Sequence, residues 1–409
     1  MRPGVNVLVT NGNLNLAPAN ENGTSVVLVA SPAAPVAGYG VAFSVSTLAE
    51  VKTAFAQVGN EPVIAAFEKG FYAEAAEGTK VYVLAMAQAT PLATLFAAAN
   101  AEKALNLAAG NARLVAAIKF PAGGYTPTIA TGFDEDVFNA VTAGQTLGNA
   151  WGTKHKGFRF FVQGYGFTTA GAALDGRTRT DKRAFIVVGS VADSTATATL
   201  LALGRAAKVN PQINIGRVKS GSLNIAAADA VKIGNTVVDA VSDADKDLLH
   251  DKCYITFEKN EAAPGYIFNN DKAFTAVDDD YNNLRYGRVI DNAQRVAYKA
   301  YYEELKDDVD VDENGRLEAV TEQALAVKVR SDIELAMPGQ LSTKKDGSAE
   351  VFALVNPDPT EYASLYAANG ITPNLNIIQS ETIYLFLFVK PRGSLTYIRV
   401  YLGLTATDL

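Results

Sequence analysis

The chain has 409 residues and a formal net charge of −7, from 36 Lys+Arg against 43 Asp+Glu, with 1 Cys and 2 His. A 48% hydrophobic and 19% charged composition is globular, which excludes a largely disordered or collagen-like chain. The lone Cys253 excludes an internal disulfide framework and any Cys-rich metal centre, and the mild acidity supplies no global field for nucleic acid or anionic lipid.

At roughly 150 residues per domain the length suggests two or three domains. The first residues lack the apolar core of a secretory signal, and the longest strongly apolar run, residues 383–389, is far short of the roughly 20 residues of a membrane span. The expectation is synthesis in the cytoplasm with no direct membrane insertion.

After Pro3-Gly4, the apolar Val5, Val7 and Val9 share one face of an extended strand, which Asn11-Gly12-Asn13 closes. Asn22-Gly23-Thr24 reads as a polar turn. Residues 25–30, Ser-Val-Val-Leu-Val-Ala, form a continuous apolar run that Ser31-Pro32 stops, the pattern of a buried sheet strand. Ser46-Thr47-Leu48-Ala49-Glu50 resembles a capped helix start, followed by Val51, Ala54 and Phe55 at helical spacing. A second helix over 62–76 carries Ile64, Phe67 and Phe71 on one stripe, and 81–84 is the next strand. The alternation continues with a helix at 91–109, a strand at 113–120, a helix at 133–150, strands at 158–162 and 184–188, and a helix at 194–208. This order implies a mostly parallel α/β sheet with buried strands.

The last third changes character. Short strands at 254–258 and 266–268 flank the turn Ala263-Pro264-Gly265, and long helices at 282–305 and 316–337 flank an acidic turn over 307–315. Strands at 350–355 and 382–389 follow. After Pro391-Arg392-Gly393 comes a terminal strand with Leu395, Tyr397 and Tyr401 on one face and Ile398, Val400 and Leu402 on the other. Apolar strands at both ends need a partner, because unpaired apolar edges aggregate. Pairing within the chain and donation to a neighbouring subunit both satisfy that need, and composition does not separate them.

Chemical motifs are sparse. There is no phosphate-binding G-x-x-x-x-G-K-[ST], no strand-linked G-x-G-x-x-G and no G-x-S-x-G elbow. Asp310, Asp312, Asn314 and Gly315 match the first half of a calcium loop, but Thr321 stands where a bidentate carboxylate is required, so Asp310 to Gly315 reads as a solvated turn between helices. His155 and His250 read as structural, and Cys253 as a small core residue. Asp278-Asp279-Asp280 suits a helix start, with Asp280 able to cap it. The basic run Arg177 to Arg183 reads as a loop or subunit contact. No constellation amounts to an enzyme, and no cofactor or metal is called for.

The order of elements resembles that of contractile tail sheath proteins of bacteriophages and contractile injection systems. The resemblance rests on Pro3-Gly4-Val5 leading to the strand at 26–30, the helix from Leu48 to Phe55, and Glu77-Gly78-Thr79-Lys80-Val81-Tyr82-Val83. It is carried further by Pro264-Gly265-Tyr266-Ile267-Phe268, the stretch from Tyr281 to Asp291, and the strand after Pro391. Phe55-Ala56 departs from the family's Phe-Gly. The resemblance covers roughly residues 1–90 and 250–409, and it implies a structural protein, not an enzyme, with an α/β (α+β) fold. An N-terminal arm (1–24), a core in two parts (25–90 and 246–390), an inserted outward-facing α/β domain (91–245) and a C-terminal arm (391–409) would make up the chain. Such a subunit polymerises helically with copies of itself around a tail tube protein, is bounded by baseplate and terminator proteins, and sits in a virion tail or an intracellular contractile particle. Val5, Val7, Val9, Leu395, Tyr397, Ile398, Val400 and Leu402 would be strand-arm residues, and Arg285, Arg288 and Arg295 candidates to face the tube; a solvated or internally paired role fits these arginines equally. The alternatives are an α/β hydrolase-like enzyme and a non-contractile tail or shell protein.

Overall fold

The computed structural model describes residues 21–393. The strand-arm residues Val5, Val7, Val9, Leu395, Tyr397, Ile398, Val400 and Leu402 lie outside the described residues. The chain forms two compact units, divided between Tyr298 and Lys299.

The first unit is built on a six-stranded sheet of β1 (Ser25–Ser31), β2 (Ala42–Val45), β3 (Val81–Ala87), β4 (Leu114–Lys119), β5 (Arg159–Gln163) and β6 (Ala184–Val187), in the order β2-β3-β1-β4-β5-β6. All neighbours are parallel except the edge strand β2, which runs antiparallel to β3. Every residue of β1, β4, β5 and β6 is buried, as a parallel sheet covered on both faces requires. This burial explains why their sequences are unbroken apolar runs instead of alternating ones. The single sheet passes straight through the expected boundary at 90/91: β4 of the expected insertion pairs with β1 of the expected core along residues 25–30. Backbone hydrogen bonds, which no buried strand edge can forgo, are what join the two segments.

Local signals explain the helices. Thr47 caps α1 (Leu48–Ala54): its hydroxyl accepts the Glu50 amide at 3.2 Å, while Glu50 accepts the Ser46 amide at 2.6 Å. The second predicted helix is α2 (Glu61–Ala66), continued by a π-helical turn, Phe67–Phe71, and a last turn, Tyr72–Glu74. The helix expected over 91–109 is broken into α3 (Leu92–Leu95) and α4 (Ala98–Leu107). Next come α5 (Glu135–Gly152), α6 (Thr195–Lys208), capped by Ser194, and the unforeseen α7 (Asp243–Asp251). Residues 61–74 pack with α6, and α3 packs with α4 and α5; each group covers strands of the sheet.

The contact of the π-helical turn with α6 depends on two glycines. A Cβ on Gly70 would meet the Thr197 carbonyl oxygen at 2.7 Å, and one on Gly204 would meet the Phe71 carbonyl oxygen at 2.4 Å. Beside them the buried Arg205 donates to Glu74 at 3.0 Å and to the Gly221 carbonyl at 2.7 Å. Helix α8 (Leu284–Tyr302) closes the first unit with its residues up to Tyr298.

The second unit contains α9 (Ala319–Ala336) and a two-stranded antiparallel sheet of β7 (Val351–Val355) and β8 (Leu385–Val389). Helix α9 packs on β7. Val351, Ala353 and Val355 point inward with Val329 and Ile333 of the helix, while Phe352 points out. Tyr366 anchors the far side, edge-on to Phe386 at 5.1 Å, with its hydroxyl donating to the Pro357 carbonyl at 2.9 Å.

Replacing Gly204 with Ala tests the helix contact. Helix propensity alone favours Ala by about 1 kcal/mol. The clash is with a backbone oxygen that cannot swing away, so overpacking of about 1–3 kcal/mol is expected to prevail. Urea unfolding of Gly204→Ala should give a lower midpoint than the parent.

Candidate functional site

In an open α/β sheet, ligands bind outside the carboxyl ends of the strands where the strand order reverses. Here β1 is followed in the sheet by β3 on one side and β4 on the other, which places the reversal between β1 and β4. Lys119 stands at the end of β4, and a polar network fills the position. Its ammonium lies 2.9 Å from Asp134, 3.1 Å from Asp136 and 3.2 Å from the Tyr125 hydroxyl. Tyr125 in turn donates to Asp134 at 2.6 Å, and Asp136 accepts the amides of Leu92 and Ala93 at 2.7 and 3.2 Å, capping α3. Burial alone would lower the Lys119 ammonium, but bonds to Asp134, Asp136 and Tyr125 raise it above its ordinary value. The groups satisfy one another, so the network joins β4, α3 and the start of α5.

The scarce reactive side chains are engaged elsewhere. His155, in left-handed backbone conformation, stacks on Tyr298 with ring centroids 4.2 Å apart. His250 Nδ1 faces the Asn270 amide at 3.4 Å, and burial together with Lys272 lowers its pKa. Cys253 is 3% exposed, and burial pushes its thiol up to about 11. The basic run 177–183 resolves into contacts: Arg177 with Asp175, Arg179 with Asp181, Arg183 with Asp291, and Lys182 over the Tyr281 ring. Asp279, not Asp280, accepts the Tyr281 amide, and the helix begins only at Leu284.

The three arginines proposed for a tube-facing surface are interior groups. Arg285 and Arg288 are 5% and 3% exposed, and Arg295 is part-buried. Arg285 pairs with buried Asp271. Arg288 donates to the carbonyls of Asn22 and Val209 at 3.1 and 3.3 Å, and Arg295 donates to those of Ala112, at 3.1 Å, and Gly157. Helical spacing does put Arg288 and Arg295 on one face, but that face docks on the sheet. Asp291, on the same face, is held by Arg159 of β5 at 2.8 and 3.1 Å and by Arg183 at 3.2 Å. The close approach needs Gly287, where a Cβ would lie 2.4 Å from the Arg159 guanidinium carbon. Sequence inspection missed Arg159 and Asp291; a lone Arg opening an apolar strand was the available signal.

In the second unit the acidic turn is a backbone device. Asp312 accepts the amides of Asn314 and Arg316, both at 2.8 Å, and Gly315 has a φ of 74° that favours glycine. More informative is the β7–β8 sheet. Among the described residues no further strand pairs with either outer edge. Phe352 and Phe388 sit directly opposite each other, 53% and 48% exposed, with ring centroids 6.3 Å apart. An open groove runs beside the strands, walled by Leu305, Leu325, Val355, Ile383 and Leu385. Among the described residues no helix is long and apolar enough to cross a membrane.

This architecture is the fold of contractile sheath subunits. The chain is similar to the helical sheath of the anti-feeding prophage in its contracted state, with a TM-score of 0.60 and 15% identity over 98% of both chains. It is similar to the contracted sheath complex of the PVC extracellular contractile injection system, with a TM-score of 0.59 and 12% identity over 99% of this chain and 98% of that one. A sheath tail protein of Listeria innocua matches with a TM-score of 0.50 and 8% identity over 92% and 96%. By sequence the chain belongs to the DUF2586 family, whose N-terminal domain model matches residues 2–272. No curated protein matches it.

Two outcomes follow from the ion pairs and the thiol. Burial alone would raise the Asp291 carboxyl, but Arg159 and Arg183 outweigh it and hold its pKa below the ordinary value. A depressed acid stabilises above its unfolded value, about 3.9, and that contribution disappears as pH falls through the lower folded value. Asp291→Asn should therefore cost about 3–5 kcal/mol near neutral pH, and its deficit in urea unfolding should narrow as pH drops below about 4. Cys253 should react with a thiol reagent only on unfolding, so labelling in native buffer should track the unfolding rate.

Proposed function

We propose that this chain is the repeating subunit of a contractile sheath, which polymerises helically around a tube and shortens to drive the tube through a target envelope. The observation that carries the reading is the β7–β8 sheet. A two-stranded sheet is marginal by itself and needs further strands or a packed helix; α9 packs on β7 here, which leaves the Phe352 and Phe388 side open. This one has both outer edges without a strand partner among the described residues and an exposed pair of phenylalanines. The same chain carries an apolar strand pattern at each end, around Val5, Val7 and Val9 and around Leu395, Tyr397, Ile398, Val400 and Leu402. Segments 1–24 and 391–409 are the arms in this reading, adding strands to the open edges of neighbouring copies. Head-to-tail contacts of this kind generate a helix where their rotation does not close into a ring.

The filled position between β1 and β4 supports a subunit that works by assembly and not by catalysis. Its partners would be copies of itself, a tail tube protein, and baseplate and terminator proteins, with no nucleic acid and no cofactor. The subunit would be made in the cytoplasm and assembled in a virion tail or an intracellular contractile particle.

Deleting residues 1–16 or 395–409 should leave a folded monomer with an unchanged thermal midpoint for the first unit and no polymer. Normal sheath-like tubes from a chain lacking both segments, seen by negative-stain microscopy alongside full-length tubes, would overturn the reading.

A further inference from the structure

The interior face of α8 holds more positive charge than its neighbours neutralise. Arg159, Arg183, Arg285, Arg288 and Arg295 converge there on two carboxylates, Asp271 and Asp291. Asp291 is already gripped by Arg159 and Arg183, and Asp271 by Arg285. Among the described residues Arg288 and Arg295 reach only backbone carbonyls, each through Nη2. The Nε and Nη1 atoms of both residues are buried with no hydrogen-bond partner. A buried guanidinium with orphaned donors is costly, because neither water nor a counter-charge replaces its lost solvation.

These two side chains wall one narrow cavity together with Asn22, Arg113, Asp291 and Asn292. The space admits a particle about the size of one water molecule. Deprotonation does not relieve the charge. Burial, the dominant cause, pushes both guanidiniums down to about 9, which still leaves them cationic at neutral pH. A water would satisfy donors but leave the charge, whereas a small anion does both.

We propose that the cavity between Arg288 and Arg295 binds a monatomic anion of chloride size. Tetrahedral oxyanions such as phosphate are too large for it, and so is an organic carboxylate such as gluconate. The site is assembled from α8, the start of β4 and the segment just before β1, so an ion there ties together elements distant in sequence. This inference is independent of the sheath reading.

The test uses the full chain. Thermal unfolding in sodium chloride should give a midpoint about 2–4 °C above that in sodium gluconate at equal ionic strength, saturating with concentration. Sodium bromide should reproduce the rise. In an Arg288→Met, Arg295→Met double variant the chloride-specific increment should vanish. Equal midpoints in chloride and gluconate, or an increment that persists in the double variant, would overturn the proposal. Should that variant not fold, crystals of the parent chain grown in bromide decide the matter. An anomalous peak within hydrogen-bonding distance of Arg288 and Arg295 supports the site, and a cavity without one refutes it.

Discussion

The first unit depends on one buried ion pair, between Arg159 at the start of β5 and Asp291 on α8. The two residues are 2% and 6% exposed and lie 132 positions apart in sequence. A parallel sheet covered on both faces admits a charge only where the charge is neutralised, and Asp291 provides this for Arg159 and Arg183 together. Removing either partner strands the other in low dielectric, which is far more costly than the pair itself is stabilising. Gly287 is part of the same arrangement, since only hydrogen fits where its backbone passes the guanidinium.

The same economy of charged groups recurs around the sheet. Lys119, Asp134, Asp136 and Tyr125 close the point where an α/β fold ordinarily opens to a ligand, and Arg205 with Glu74 fastens the π-helical turn to α6. Interior polar groups are thus used for docking elements together. The second unit differs, because among the described residues no further strand pairs with the outer edges of its small sheet.

Much of the fold was legible in the sequence, for physical reasons. The runs at 25–30, 113–120 and 184–188 are continuous because both faces of their strands are buried, and Thr47 announced its helix through capping chemistry. The resemblance to sheath proteins is borne out at the level of the fold. Other features were illegible. Strand β2 is four residues long and only partly buried at the sheet edge, too short for a period to show. For Arg288 and Arg295 a tube-facing and an internally paired role stayed equally open, because spacing reveals a shared face but not whether that face meets water. The pairing of β4 with β1 across 90/91 was illegible because register is a property of paired strands and not of one segment.

The central claim is that β7 and β8 form half of a sheet completed by other copies of the chain. A cryo-electron microscopy reconstruction of the polymer assembled with its native partners tests it most directly. The account predicts a hollow helical lattice in which strands from two neighbouring subunits lie along the outer edges of β7 and β8. A reconstruction in which those edges stay bare, or are covered by the same subunit's own terminal strands, would contradict it.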